Sequence, residues 1–206
     1  MSKLVAVLLT LMSWASAGSI IVFSNFGPGN TYKRSSAWGI GNSADPSSLN
    51  IYGAAFTPSQ TVTLNSITLA LNHQTGANQF VVSLNAESGN LPGAVVESFA
   101  LNNVVRSVYS GSILTETSAL RPLLNAGARY WIVVSPAVPT SGGGWLSALN
   151  DQGRWAVETT RGWSAVTLRS GNRGVFAVIG DLLSGVGRSP GYVVAHPPLA
   201  LLDKVK

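Results

Sequence analysis

The chain contains no cysteine, which removes disulfide frameworks, thiolate nucleophiles and cysteine-ligated zinc or iron–sulfur sites together. Stability must come from packing and hydrogen bonding alone. Charge is also scarce: 10% of the 206 residues are ionic, against roughly 25% in ordinary soluble domains, so the surface is polar rather than ionic. The formal net charge of +5 reflects 13 basic residues against only 8 acids. Arg154, Arg161, Arg169, Arg173 and Arg188 concentrate in the last third, with Trp155 and Trp163 among them. Spaced so widely they read as separate solvated or aromatic-stacked side chains, with an anion-binding face as the alternative, and no nucleic-acid partner is expected. No apolar run approaches the about 20 residues a membrane helix needs.

What the chain does have is turn residues and β-formers, and 46% hydrophobic composition is ample for the core of one domain. Residues 1–17 read as a secretory signal peptide: Lys3 supplies the positive start, Leu4 to Met12 the apolar stretch and Ala15-Ser16-Ala17 the small-residue cleavage pattern. The expected mature chain begins near Gly18 and is exported to the periplasm or the medium. The domain is expected over 18–182. A loosely ordered tail follows over 183–206, where Gly185, Gly187, Pro190, Gly191 and Pro197-Pro198 break any pattern.

Arg129 to Val134 is the densest strand signal, with Tyr130, Ile132 and Val134 on one face and Trp131 and Val133 on the other. Apolar residues on both faces predict a central strand covered from both sides. Ile20 to Phe23, Ile51 to Thr57 and Val62 to Leu71 also read as strands. In the last of these Ile67, Leu69 and Leu71 oppose Ser66, Thr68 and Ala70 in a half-buried alternation. Phe80 to Glu87 and Val95 to Leu101 predict an antiparallel pair joined by a turn over Ser88 to Gly93, with Phe80, Val82, Leu84 and Ala86 inward and Val81, Ser83, Asn85 and Glu87 outward. Val104 to Ser118 reads as one or two edge strands. Trp155 to Glu158, Val166 to Leu168 and Val175 to Ile179 complete the set. Two stretches read as loops: Ser24 to Asn50, which holds Tyr32 and Trp38, and Pro136 to Gly144, with two prolines and three consecutive glycines. Many short strands without an amphipathic helix predict an all-β fold, an antiparallel β-sandwich of jelly-roll-like kind.

Several phrases in order resemble the choice-of-anchor R domain family of secreted bacterial proteins, often found with a PEP-CTERM sorting tail. They are Ala55-Phe56-Thr57-Pro58, Ile67-Thr68-Leu69-Ala70-Leu71, Val82-Ser83-Leu84, Gly89-Asn90-Leu91-Pro92-Gly93, Leu124-Asn125-Ala126-Gly127 with Arg129-Tyr130-Trp131, Gly162-Trp163, and Phe176-Ala177-Val178-Ile179-Gly180. The resemblance implies a secreted or cell-surface β-sandwich with no enzymatic activity. Pro197-Pro198-Leu199 to Lys206 departs from the sorting tail, which favours release over retention.

For chemistry, the nucleophile-elbow pattern Gly-x-Ser-x-Gly is missing, and His73 stands alone inside the expected domain, where a surface or loop-bonding role outweighs a catalytic base. Glu87, Glu97, Asp151 and Glu158 form no recognisable glycosidase pair, and Glu87 and Glu97 read as outward hairpin residues. Calcium needs six to eight oxygens, and Asn150-Asp151-Gln152 is the best local source without being an acidic cluster, so no cofactor is expected. Carbohydrate binding needs exposed rings flanked by hydroxyl-bonding side chains. Trp145, Trp155 and Trp163, with Asn150, Asp151, Arg154 and Arg161 between them, match that composition, and Trp145 is expected to be the most exposed because it follows Gly142-Gly143-Gly144. The alternative places these tryptophans in the core. The reading is therefore an exported, non-catalytic binding module for a glycan or surface polymer. A structural or adhesive matrix protein is its main rival, and a secreted glycoside hydrolase a lesser one.

Overall fold

The computed structural model describes residues 18–41, 50–107, 111–151, 153–159, 162–166 and 172–183. The signal segment, most of the expected strand Val166 to Leu168 and the tail from 184 onward lie outside them. Among these residues thirteen strands run in chain order as β1 (Ser19–Ser24), β2 (Lys33–Ile40), β3 (Ile51–Phe56), β4 (Val62–Thr75), β5 (Gln79–Ser88), β6 (Leu91–Asn102), β7 (Ser112–Thr117), β8 (Leu123–Leu124), β9 (Tyr130–Pro136), β10 (Gly142–Ser147), β11 (Trp155–Thr159), β12 (Gly162–Val166) and β13 (Phe176–Leu182). The only helical element among the described residues is the 3-10 turn Pro28–Asn30.

The strands form two sheets, all of whose strand pairs are antiparallel. One runs β1-β13-β4-β10-β2, with β7 and β8 also paired to β4, and the other runs β12-β11-β3-β9-β5-β6. The chain crosses repeatedly between the sheets, so the fold is an all-β sandwich. Its main core lies between them, where Val62, Leu64, Ile67, Leu69, Leu71, Trp145 and Phe176 of the first sheet meet Phe56, Phe80, Val82, Leu84, Ile132 and Val134 of the second. Parity along β4 switches between Leu64 and Ile67 because the pairing with β13 skips Asn65, a β-bulge that keeps both halves of the strand facing the core. Ser66 and Ala70 on its other face are buried as well, Ala70 beneath the segment that carries Phe26 and Tyr32.

The predicted central strand is β9, flanked by β3 and β5. Tyr130, Ile132 and Val134 face the main core, while Trp131 and Val133 form a second apolar cluster with Ala55 and Ala156. That second cluster exists because the sheet curls until β12 touches β6, with Trp163 and Leu91 closing over its concave face. The curl also buries Ser83 and Asn85, which alternation placed outward, and satisfies them: Ser83 Oγ donates to Asn85 Oδ1 (2.7 Å) and Asn85 Nδ2 to the Gly93 carbonyl (2.8 Å).

Three further expectations are corrected. Lys33–Ile40, inside the expected loop, is the edge strand β2 paired to β10. The glycines expected to form a loop are the first half of β10, between β4 and β2. A methyl group added at Gly143 would sit 2.5 Å from the Asn72 carbonyl oxygen and 2.7 Å from Phe80 Cζ, so glycine is demanded there by close packing. Finally, β5 and β6 are joined more tightly than predicted, by Gly89 and Asn90 alone, both at positive φ as in a type I′ hairpin.

Glu97 is buried on the core side of β6 with Phe99 and Leu101, not outward. Its carboxylate accepts from the Ser118 hydroxyl (2.6 Å) and from the Ala119 and Leu120 amides (2.7 and 3.0 Å). This ties the edge of one sheet to the turn leaving β7 in the other.

Asp181 on β13 anchors the opposite edge. Hydrogen bonds from Arg121, then from Ser19 and Asn65, hold its carboxyl down to about 2. Because the folded value lies below the ordinary 3.8, the stability it contributes is present above that pH and is lost as pH falls toward 2. Melting temperature followed from pH 5 to pH 2 should therefore fall less steeply in Asp181→Asn than in the wild type; parallel curves would exclude this contribution.

Candidate functional site

The site is built around the segment 172–175, which runs beside the end of β10. Ala148 N–H donates to the Arg173 carbonyl (2.9 Å), Val175 N–H to the Leu146 carbonyl (2.8 Å) and Arg173 N–H to the Asp151 carbonyl (3.0 Å). Gly174 permits this approach, since a Cβ there would lie 2.2 Å from the Trp145 ring. Arg173 is thereby fixed at one end of the sandwich.

Its side chain is 7% exposed and heavily engaged. Nε meets Asp151 Oδ2 at 2.5 Å, and Nη1 donates to the Ala55 carbonyl of the other sheet. The guanidinium also lies over the rings of Phe23 (5.0 Å) and Phe176 (5.8 Å). Asp151 in turn accepts from the Gly153 amide (2.8 Å) and from Asn25 Nδ2 (2.7 Å), while Asn25 Oδ1 accepts from the Phe176 amide (2.7 Å). Burial pushes the Asp151 carboxyl up, but Arg173, Gly153 and Asn25 together hold it below its ordinary value. It is ionised at neutral pH. A cation at this carboxylate would have to displace the Arg173 guanidinium, which argues against calcium there.

Two adjoining clefts open on either side of Phe23 and Arg173. The larger, about 430 Å³, lies between the segment Phe23 to Pro28 and Leu149, Asn150 and Asp151. The smaller, about 300 Å³, is bounded by Ala55, Phe56, Thr57, Arg129, Gly153 and Arg154. Arg129 is held by Glu87 (2.7 Å) and Asn90 (3.3 Å). Arg154 is exposed; its carbonyl accepts from the Ala55 amide (3.0 Å), and its side chain is in none of the ion pairs among the described residues. The lining therefore combines apolar walls with amide, carboxylate and guanidinium groups.

Of the sequence-predicted residues, Asn150, Asp151 and Arg154 come together at these clefts, while the tryptophans do not make a platform. Trp145 is 1% exposed, a core residue whose Nε1 donates to the Val175 carbonyl (3.0 Å). Its expected exposure is overturned because the glycines before it form a central strand. Trp155 is also buried, 4.3 Å from the Trp38 ring and 5.9 Å from Tyr52. Trp163 is half-buried over the second apolar cluster inside the curl. Arg161, with Gln152, Arg169, Arg188 and His196, lies outside the described residues. The His73 ring contacts the Gly76 carbonyl through Nε2 (3.1 Å), a loop-bonding role.

Sequence reasoning missed Phe23 and Asn25, and it named Arg173 only as one of several scattered arginines. An arginine flanked by Asn172 and Gly174 carries no local mark of its partner twenty-two positions earlier. The chain matches no protein-family model, and no curated protein is significantly similar to it in sequence.

Proposed function

We propose that this chain is an exported, non-catalytic β-sandwich module that binds a glycan or other extracellular polymer at the clefts flanking Arg173. The observation that carries the reading is the paired concavity itself. Two adjoining hollows share one wall, Phe23 and Arg173; Asn150 and Asp151 line the larger and Arg154 the smaller, so hydroxyl-bonding groups stand along both. The signal-like first 17 residues support export, and the resemblance to choice-of-anchor R proteins supports a surface or secreted setting. A binding role is favoured over hydrolysis because the carboxylate in the clefts, Asp151, is held ionised by Arg173 and is unsuited to act as a general acid.

The test is retention on immobilised polysaccharides with Asn150→Ala and Arg154→Ala. Each substitution should weaken retention at least about fivefold, near 1 kcal/mol for one lost polar contact, with an unchanged melting temperature. No retention of the wild type on any polymer would sink the reading.

The rival, a matrix protein that meets other proteins through a sheet edge, is favoured by one feature. Ile21 is 64% exposed on β1, the outermost strand of its sheet. It predicts self-association that free sugars leave undisturbed and that Ile21→Lys abolishes.

A further inference from the structure

A second concavity, about 560 Å³, shares no lining residue with the clefts at Arg173. We infer that this groove, between Tyr32 and Arg34 on one side and Arg106 on the other, binds an acidic sugar through its carboxylate.

Tyr32 and Arg34 are two residues apart where the chain enters β2, and the Arg34 guanidinium lies 5.7 Å from the Tyr32 ring centroid. The ring is braced from behind: the edge of Phe26 meets it at 6.2 Å, and it packs on the cluster of Ala70, Leu146 and Val175. Facing it, the main chain of Arg106 is tied on both sides. Its carbonyl accepts from the His73 amide (2.8 Å), and its amide donates to Ser112 Oγ (2.8 Å). At Gly111, in the left-handed region, an added Cβ would lie 2.6 Å from Leu146 and 3.4 Å from the Tyr32 hydroxyl, so the segment is pressed against the tyrosine. The Arg34 and Arg106 side chains are exposed, as are the lining side chains of Val104 and Ile113.

Among the described residues no carboxylate lines the groove. The three ion pairs among the described residues involve Arg121, Arg129 and Arg173, so the guanidiniums of Arg34 and Arg106 have no anionic partner among the described residues. Two guanidiniums in one hollow, neither in an ion pair among the described residues, in a chain with few acids, are suited to a planar carboxylate, which arginine holds in a fork. The volume far exceeds a free inorganic ion and suits a saccharide unit. Tyr32, Val104 and Ile113 supply the apolar surface that the C–H face of a sugar ring covers.

The probe is digalacturonate, titrated into the whole protein at low salt beside neutral maltose, a sulfated disaccharide and phosphatidylglycerol vesicles. Digalacturonate should bind and maltose should not. Arg34→Ala and Arg106→Ala should each weaken binding about tenfold, and the double variant should abolish it. Both side chains are exposed and in no ion pair among the described residues, so melting should be unchanged. Arg34→Lys, which keeps the charge but loses the fork, should still lose severalfold. Arg154→Ala should leave affinity within about twofold. Loss confined to Arg154→Ala would move the ligand to the Arg173 clefts and overturn this site while leaving the polymer reading intact. Equal loss in all variants would reduce it to general charge. Binding to vesicles or to the sulfated sugar alone would contradict a carboxylate-bearing sugar.

Discussion

Replacing Arg173 with alanine should lower the unfolding free energy by about 3 kcal/mol or more, the cost of breaking a largely buried ion pair from one side. Three losses coincide. Asp151 keeps its charge without its cation, the Ala55 carbonyl loses a donor, and the rings of Phe23 and Phe176 lose a guanidinium from their faces. At roughly 2–4 °C per kcal/mol for a domain of this size, melting should fall by about 6–12 °C. For the pair, Arg173→Met combined with Asp151→Leu should recover part of the loss, because apolar isosteres leave no unpaired buried charge, while the Gly153 amide, Asn25 Nδ2 and the Ala55 carbonyl still lose their partner. Asp151→Asn alone should cost less than Arg173→Ala, since an amide oxygen still accepts from Gly153 and Arg173 still reaches Ala55. A single Arg173→Ala melting within about 2 °C of the wild type, less than 1 kcal/mol on that scale, would show that this arginine does not join the sheets.

Trp145→Ala should be at least as damaging, about 3–5 kcal/mol. The indole is enclosed, packs 5.9 Å from Phe176, donates to Val175 and forms the wall that Gly174 lies against. Its removal leaves a large cavity in the first sheet and an unsatisfied carbonyl. Gly174→Ala attacks the same contact from the other side and should also destabilise strongly, because its Cβ has no space beside the ring. Trp163→Ala, half-buried over the curl, should cost distinctly less. These outcomes separate two roles for tryptophan. If Trp145→Ala melted like the wild type yet lost polymer binding, the indole would be a recognition surface rather than a core residue.

The contrast explains why some parts of the molecule are legible in the sequence and others are not. β9, β5 and β6 stand out because their β-formers run in long stretches with apolar residues on the core face, and the covered outer face of β9 follows from Trp131 and Val133. β2 and β10 are hidden for opposite reasons. β2 is an exposed edge strand, so Lys33, Arg34, Ser35 and Ser36 show the polarity of a loop. β10 is so tightly enclosed that a Cβ at any of its three glycines would come within 2.5–2.7 Å of a neighbouring atom, and consecutive glycines then imitate a flexible turn. The misplacement of Trp145 follows directly from that imitation. Glu97 is legible in principle: alternation puts it on the face of Phe99 and Leu101, and only the assumption that a carboxylate must be solvated sends it outward.

For the site, sequence proximity brings together Asn150, Asp151 and Arg154, because a single turn after β10 carries them. It cannot supply Asn25 or Phe23, which arrive from the first strand, or single out Arg173, whose ties to Asp151 and Ala55 span the chain. Contacts of that kind depend on strand order, which local pattern does not encode.

Under the proposed function, recognition belongs to the arginine-walled clefts and the tryptophans belong to the fold. The most direct measurement follows arginine Nε–H and tryptophan indole N–H resonances of the whole protein during titration with a polysaccharide that retains it. The Arg173 and Arg154 signals should shift while the Trp145 and Trp155 indoles stay fixed. Indole signals that move while both arginines remain unchanged would contradict the claim.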